Sequence, residues 1–147
     1  HKVFGKPAEG VGDRVMEMEK RHLKFAGVPE AITPFYVNHE DTECDLLLVG
    51  ITSTGGAIDE ACEALEAEGK KVNHLHLRLL SPFPVEALRP YIEGAKKVLI
   101  VEEDLTEQLR ELFAIHFSCH DKLLSCLQYD GTPFTASTIL KKAKEVF

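Results

Sequence analysis

Four groups of residues could do chemistry. The first is Ser53-Thr54-Gly55-Gly56, a glycine turn directly after the apolar run Leu46 to Ile51. A helix opening there would present free backbone N–H groups and the positive end of its dipole, so Ser53, Thr54, Gly55 and Gly56 are candidates to hold a phosphate or carboxylate. The turn has neither the Gly-Lys-Ser/Thr of a Walker loop nor a full Gly-x-Gly-x-x-Gly fingerprint. For such a partial motif the commoner outcome is a cap whose glycines let helix and sheet approach.

The second group is His116, Cys119, His120 and Cys126. His116 and His120 stand at the i, i+4 spacing that zinc uses, and a small zinc hydrolase is one reading. No second ligand pair follows at a standard spacing. His116 falls on the apolar stripe of its helix, which predicts a core histidine. The thiols lack the close runs of iron–sulfur sites. Third, His74, His76 and Arg78 alternate along one strand face. They suit an acid–base or anion-binding row, or a polar face against a helix or partner; an exposed or interface row is the expectation. Fourth, Glu102-Glu103-Asp104 ends a strand, where open α/β sheets gather ligands. Three acids suit Mg²⁺, although acids beside a helix start also answer its dipole. The sequence supports no Ser-His-Asp or Cys-His arrangement.

These residues need elements to position them. Leu46 to Ile51 is continuously apolar, as in a strand buried on both faces. Ile58, Cys62 and Leu65 then recur at helical spacing, with Asp59, Glu60, Glu63, Glu66 and Glu68 toward water and Ser53 or Thr54 as cap. Gly69 is placed to end this helix in a left-handed conformation. Val72 to Arg78 alternates as a strand. Pro82 and Pro84 stop it, and Pro84 opens a helix over Val85 to Tyr91 that Gly94 ends. Lys97 to Val101 is a third strand, and Thr106 caps a helix over Glu107 to Phe117. Leu123 to Tyr129 is a fourth strand, Asp130-Gly131 a turn, and Thr135 caps a last helix, Ala136 to Val146. Residues 1–44 read as a linker or arm with one helix over Asp13 to Phe25, Pro29 and Pro34 blocking regular structure afterwards. Residues 45–147 read as an α/β three-layer sandwich around a mostly parallel sheet of five strands.

Composition narrows the partners. The 147 residues carry 17 basic and 24 acidic side chains, a net charge of −7. An acidic chain without a basic cluster is a poor nucleic-acid binder. No apolar run approaches the roughly 20 residues of a membrane helix, and no secretory pattern is present. The four cysteines form no Cys-x-x-Cys pair, and a chain this long does not need disulfides, so reduced thiols in a cytoplasm are expected. Opening at His1, the chain reads as a fragment or processed piece.

The ordered motifs carry a resemblance. They are Ser53-Thr54-Gly55-Gly56-Ala57-Ile58, Leu75-His76-Leu77-Arg78, Leu80-x-Pro82-Phe83-Pro84, Ala95-Lys96-Lys97-Val98 leading to Val101-Glu102-Glu103, Gln108-Leu109, and Tyr129-Asp130-Gly131-x-Pro133-Phe134-Thr135. With Met18-Glu19-Lys20-Arg21 and Lys24 ahead of them, the chain resembles the C-terminal part of the α subunit of 2-oxoacid:ferredoxin oxidoreductases. The resemblance implies a transketolase C-terminal-domain-like fold. It implies an enzyme that oxidises pyruvate, 2-oxoglutarate or a related acid to an acyl-CoA and reduces ferredoxin. Thiamine diphosphate, Mg and iron–sulfur clusters are implied for the whole enzyme, in other domains or in the β subunit. No catalytic, metal or cofactor residue is then expected here, and the role is structural. Partners implied are the β subunit, further γ or δ subunits, and ferredoxin through the complex, in an oligomer. Glu102 and Gln108 are the interface candidates. The family often carries Glu-x-Asn-x-x-Gly-Gln-Leu at this point; Asp104 stands at the Asn position and Glu107 at the Gly. The other reading is a stand-alone anion- or nucleotide-binding module using Ser53 to Gly56.

Overall fold

In the computed structural model, which describes residues 4, 5, 7 and 9–147, strand β2 (Cys44–Ile51) forms the middle of the sheet. Leu46 and Leu48 point into one core, Leu47 and Val49 into the other. A central strand with helices on both faces has no wet side, which is why this run is continuously apolar. Beside it lie β3 (Val72–Leu77) and β4 (Ala95–Glu102), both parallel to it, and β5 (Leu123–Leu127) runs parallel to β4.

The fifth strand comes from the segment read as an arm. Strand β1 (Phe35–Val37) pairs antiparallel with β3, Phe35 opposite Leu77, giving the order β1-β3-β2-β4-β5. The expectation that Pro29 and Pro34 keep residues 26 to 44 irregular is therefore corrected. Pro29 sits in the first turn of a short helix, α2 (Val28–Ala31), where a missing N–H costs nothing, and Pro34 lies just outside β1. Buried Asn73 holds the following chain, accepting from His39 N and donating to the carbonyls of His39 and Asp41.

Helices cover both faces. Helix α3 (Gly55–Ala67) buries Ile58, Ala61, Cys62 and Leu65, and α6 (Ala136–Val146) buries Ile139 and Ala143, in the same core as Leu99 and Val101. Across the sheet, α4 (Val85–Gly94) buries Leu88 and Ile92, and α5 (Gln108–His116) buries Leu109 and Phe113, against Val98 and Ile100. This is the three-layer sandwich with a mostly parallel five-stranded sheet.

Local signals explain the ends of these elements. Gly69 has φ +79° where α3 stops, and the N–H groups of Gly69 and Lys70 reach the carbonyls of Glu66 and Leu65. Thr135 caps α6 by accepting from Thr138 N at 3.3 Å. Gly94 lies where a Cβ would meet the Thr42 carbonyl oxygen at 2.3 Å, so only glycine lets the chain before β2 pass. Helix α1 (Val11–Ala26) stands apart, with no buried residue.

Candidate functional site

The connection after β2 turns to α3 on one face of the sheet, while that after β4 turns to α5 on the other. Adjacent parallel strands whose connections diverge open a crevice at their carboxyl ends. A cleft of about 490 Å³ lies there, with Ile51, Leu80, Leu109 and Leu112 as its apolar lining. Thr52, Thr54, Glu102, Glu103, Asp104 and Gln108 supply its polar groups. Two groups that the sequence presents separately, the glycine turn and the acidic strand end, thus face each other. Ser53 Oγ donates to Glu103 Oε2 at 2.9 Å and ties them together.

The turn is not built as an anion cradle. Thr54 is buried, and its hydroxyl bonds the backbone of Ile51, accepting from N at 3.0 Å and donating to O at 2.9 Å. Thr54 stands at the N-cap of α3, one of the two expected positions, but its side chain makes no cap hydrogen bond; a 3₁₀ turn, Thr52–Thr54, leads into the helix, with Thr52 at φ +56°. Gly55 lies under His76 and Tyr36, where a Cβ would come within 3.0 Å of His76 Cε1. Gly56 is exposed and outside the cleft lining. Glu103 takes the Ser53 hydroxyl that an anion would need, and the lining is acidic.

Glu102 ends β4 with its carboxylate on the first turn of α5. It accepts from Leu109 N at 2.6 Å and Arg110 N at 3.2 Å, at the positive end of the helix. Thr106, the expected cap, does not serve; Thr106 N instead donates to Asp104 Oδ1 at 2.7 Å. Burial, then the hydrogen bond shared with Asp104, pushes the Glu102 carboxyl up to about 7, against the two N–H donations that favour its charge. Burial also acts to raise Asp104, but hydrogen bonds from Glu102 and from the Thr106, Gln108 and Glu107 backbone leave it below its ordinary value. The hydrogen bond between the two carboxyls thus favours the protonated form of Glu102 and the charged form of Asp104. Of the interface candidates, Gln108 is exposed on the cleft wall and Glu102 is buried beneath it.

The row His74, His76, Arg78 is not an exposed face. His74 and His76 are buried, and Arg78 lies beyond the end of β3 in solvent. Asp59 of α3, expected to face water, is half-buried over His74, whose Nδ1 donates to Asp59 Oδ1 at 2.7 Å; Asn38 Nδ2 donates to the same oxygen at 2.9 Å. Tyr36 of β1 stacks on His76, ring centres 5.0 Å apart. Burial pushes both histidines down, the neighbouring His74 adding to the effect on His76. His74 Nε2 and His76 Nδ1 have no hydrogen-bond partner. Tyr36, Asn38 and Asp59 are contacts that sequence reasoning missed. The only signal was the short apolar alternation Phe35-Tyr36-Val37.

The remaining candidates do not converge. His116 is exposed, stacked on Phe83 at 4.9 Å between ring centres, so it is not a core histidine. Among the described residues, no three His, Cys, Asp or Glu side chains come together to hold a metal. Burial pushes the thiols of Cys44, Cys62 and Cys126 up to about 11, 12 and 11. Neutral thiols set apart in the core do not fit iron–sulfur ligation, and the acidic cleft does not fit a diphosphate.

Residues 44–131 match the family model of the pyruvate:ferredoxin oxidoreductase core domain II. The chain belongs to this family. Among relatives of core domain II, the α subunit of 2-oxoacid:ferredoxin oxidoreductase 2 from Aeropyrum pernix is 32% identical over 148 residues, covering 99% of this chain and 23% of that protein. A solved 2-oxoglutarate:ferredoxin oxidoreductase from Magnetococcus marinus superposes with a TM-score of 0.85 at 27% identity, over 99% of this chain and 25% of that one. A split-gene transketolase, 20% identical over 76% of this chain and 40% of its own, has a TM-score of 0.60 and shows the shared transketolase-like fold. The chain is thus a domain of the kind found in 2-oxoacid:ferredoxin oxidoreductase α subunits, and it spans about a quarter of the length of these two oxidoreductase relatives. Among the described residues no helix is long and apolar enough to cross a membrane.

Proposed function

We propose that core domain II here is a structural and subunit-association domain of a 2-oxoacid:ferredoxin oxidoreductase α subunit, with no catalytic group of its own. The parent enzyme, on this reading, is cytoplasmic and oxidises a 2-oxo acid to an acyl-CoA while reducing ferredoxin. Thiamine diphosphate, Mg and iron–sulfur clusters sit in its other domains and in the β subunit. The observation that carries the reading is the family match over residues 44–131, joined to an acidic cleft beside which the Ser53 hydroxyl is taken up by the chain's own Glu103.

Near that cleft Leu105, three positions before Gln108, is exposed, as is Tyr129, which with Glu103 lines the next depression, a surface suited to a neighbouring subunit. Two measurements test the proposal. Calorimetric titration of the 147-residue chain with thiamine diphosphate and Mg²⁺ is expected to give no heat of binding; tight binding would sink the non-catalytic reading. In the parent complex, Leu105→Asp with Tyr129→Glu is expected to reduce recovery of the β subunit with α while leaving the domain folded. Full recovery would remove this surface from the interface.

A further inference from the structure

Two buried imidazoles and a three-residue strand meet at one edge of the sheet. His74 and His76 stand two residues apart on β3, so both rings lie on the α3 face, edge to face with centres 5.4 Å apart. The core side leaves them no room. A Cβ on Gly55 would come within 3.0 Å of His76 Cε1, and one on Gly50 within 3.5 Å of its Nδ1. Tyr36 of β1 closes over both rings, stacked on His76 and edge-on to His74 at 6.2 Å.

The hydrogen bonding suits neutral rings. His74 Nδ1 donates to Asp59, and His76 finds an acceptor in the Thr52 backbone. His74 Nε2 and His76 Nδ1 are left as buried lone pairs without a partner among the described residues. A proton added to either becomes a buried N–H with no acceptor. Two charged rings at this spacing also repel each other. Asp59 of α3 is the carboxylate that faces the pair. Tyr36 of β1 brings a phenol, the turn before α3 brings the hydroxyls of Thr52 and Thr54, and Leu48 and Gly50 of β2 carry no ionisable group. His39, just beyond β1, is occupied by Glu66 of α3 at 2.7 Å. One carboxylate does not balance two imidazolium rings.

The part that can yield is β1. It has three residues at the end of the strand order, and a strand so short is held by what it touches. What it touches is this pair: Tyr36 covers the rings, and Asn38, just past the strand, donates from N to the His74 carbonyl at 3.1 Å and from Nδ2 to Asp59 at 2.9 Å. We propose that the His74–His76 pair is an acid-operated latch on β1: when the rings take up protons, Tyr36 leaves them and β1 lets go of β3 while the rest of the sheet stays folded. Strand β1 ties α1 and α2 to the sandwich, so the latch sets how firmly those helices are attached.

Hydrogen–deuterium exchange of the 147-residue chain, corrected for the intrinsic effect of pH, reads the latch directly. The amides to follow are Asn38 and Arg78, which donate across the β1–β3 edge to the carbonyls of His74 and Pro34. Their protection should fall roughly 10- to 100-fold between pH 7 and 5.5, since each proton taken up contributes up to about tenfold per pH unit. Amides of β2 and β4 should keep theirs. The imidazole resonances of His74 and His76 should titrate together with that loss. Asp59→Asn, which keeps an acceptor for His74 and removes the counter-charge, should open β1 further at pH 5.5. His74→Asn with His76→Asn should make the protection of Asn38 and Arg78 independent of pH in this range. Protection that holds down to pH 5.5, a loss that spreads at once to β2 and β4, or rings that titrate while both amides stay protected would each overturn the proposal in the unaltered chain. So would acid opening that persists in the double histidine variant.

Discussion

Thiols apart, the described residues bury ionisable side chains in two places, and treat them in opposite ways. At the cleft, Glu102 has a full set of partners: two backbone N–H groups of α5 and the Asp104 carboxylate. At the β1 edge, His74 and His76 each keep one ring nitrogen without a partner. The first buried group completes a helix end. The second fills space, stacking against Tyr36 and closing over Gly55. A buried polar group can thus be held by hydrogen bonding or by packing, and the two cases should fail differently.

The largest contrast comes from deletion at the cleft. Glu102→Ala strands two N–H groups and is expected to cost about 2–3 kcal/mol in urea unfolding, with Glu102→Gln losing clearly less. Equal losses in the two variants would mean that hydrogen bonding is not what Glu102 supplies. The β1 edge should instead fail by crowding. Gly55→Val pushes a side chain against His76 and should cost about 2 kcal/mol, part of which His76→Ala restores in the double variant.

The pH dependence should separate the two regions by sign. Glu102 holds its proton more tightly folded than unfolded. Its contribution is complete below its ordinary value of 4.5 and is lost as pH rises through about 7. The histidines hold theirs less tightly folded, so they oppose folding as pH falls through their ordinary 6.5. Stability measured from pH 5 to 8 should lose its alkaline-side decline in Glu102→Gln and a part of its acid-side decline in His74→Asn, His76 keeping the rest; a common response would break the distinction. The smallest effect concerns Glu107, which precedes α5 at φ +57°. Glu107→Gly is expected to stabilise the chain by about 0.5–1 kcal/mol in thermal unfolding, the lost ion pair with Arg110 offsetting little.

Much of this architecture was legible because it rests on period and punctuation. The run Leu46 to Ile51, the stripe Ile58-Cys62-Leu65, Gly69 and Thr135 each act through local rules, and each stands where those rules put it. What escaped depends on pairing at long range. Three residues, Phe35 to Val37, carry too little pattern to announce a strand, and β3 supplies the pairing that makes them one. Of the row His74, His76 and Arg78, the two histidines do share a face, but Arg78 lies beyond the strand, and the burial of the pair depends on β1 and on Asp59 from α3. At the cleft, residue types were visible at Ser53 and Glu103, but not that fifty positions of chain return one to the other. Thr106 had the composition of a cap; the side chain that caps α5 is Glu102, six positions before that helix begins and on a different element, and no local rule points to it. The Gly of the resembled motif now has a physical meaning, since Glu107 occupies a left-handed position that glycine adopts without strain.

The direction of β1 has a geometric consequence. Because it runs against the other strands, it enters the sheet beside Leu77, at the same end as the carboxyl termini of β2 and β4. The incoming chain is clamped there, Pro34 O accepting from Arg78 N at 2.8 Å and Leu79 N at 3.0 Å. The chain's point of attachment and its crevice therefore share one pole, while the contact of Gly94 with Thr42 seals the other. A group seated in the crevice therefore also lies at the end of the sheet where the preceding chain enters.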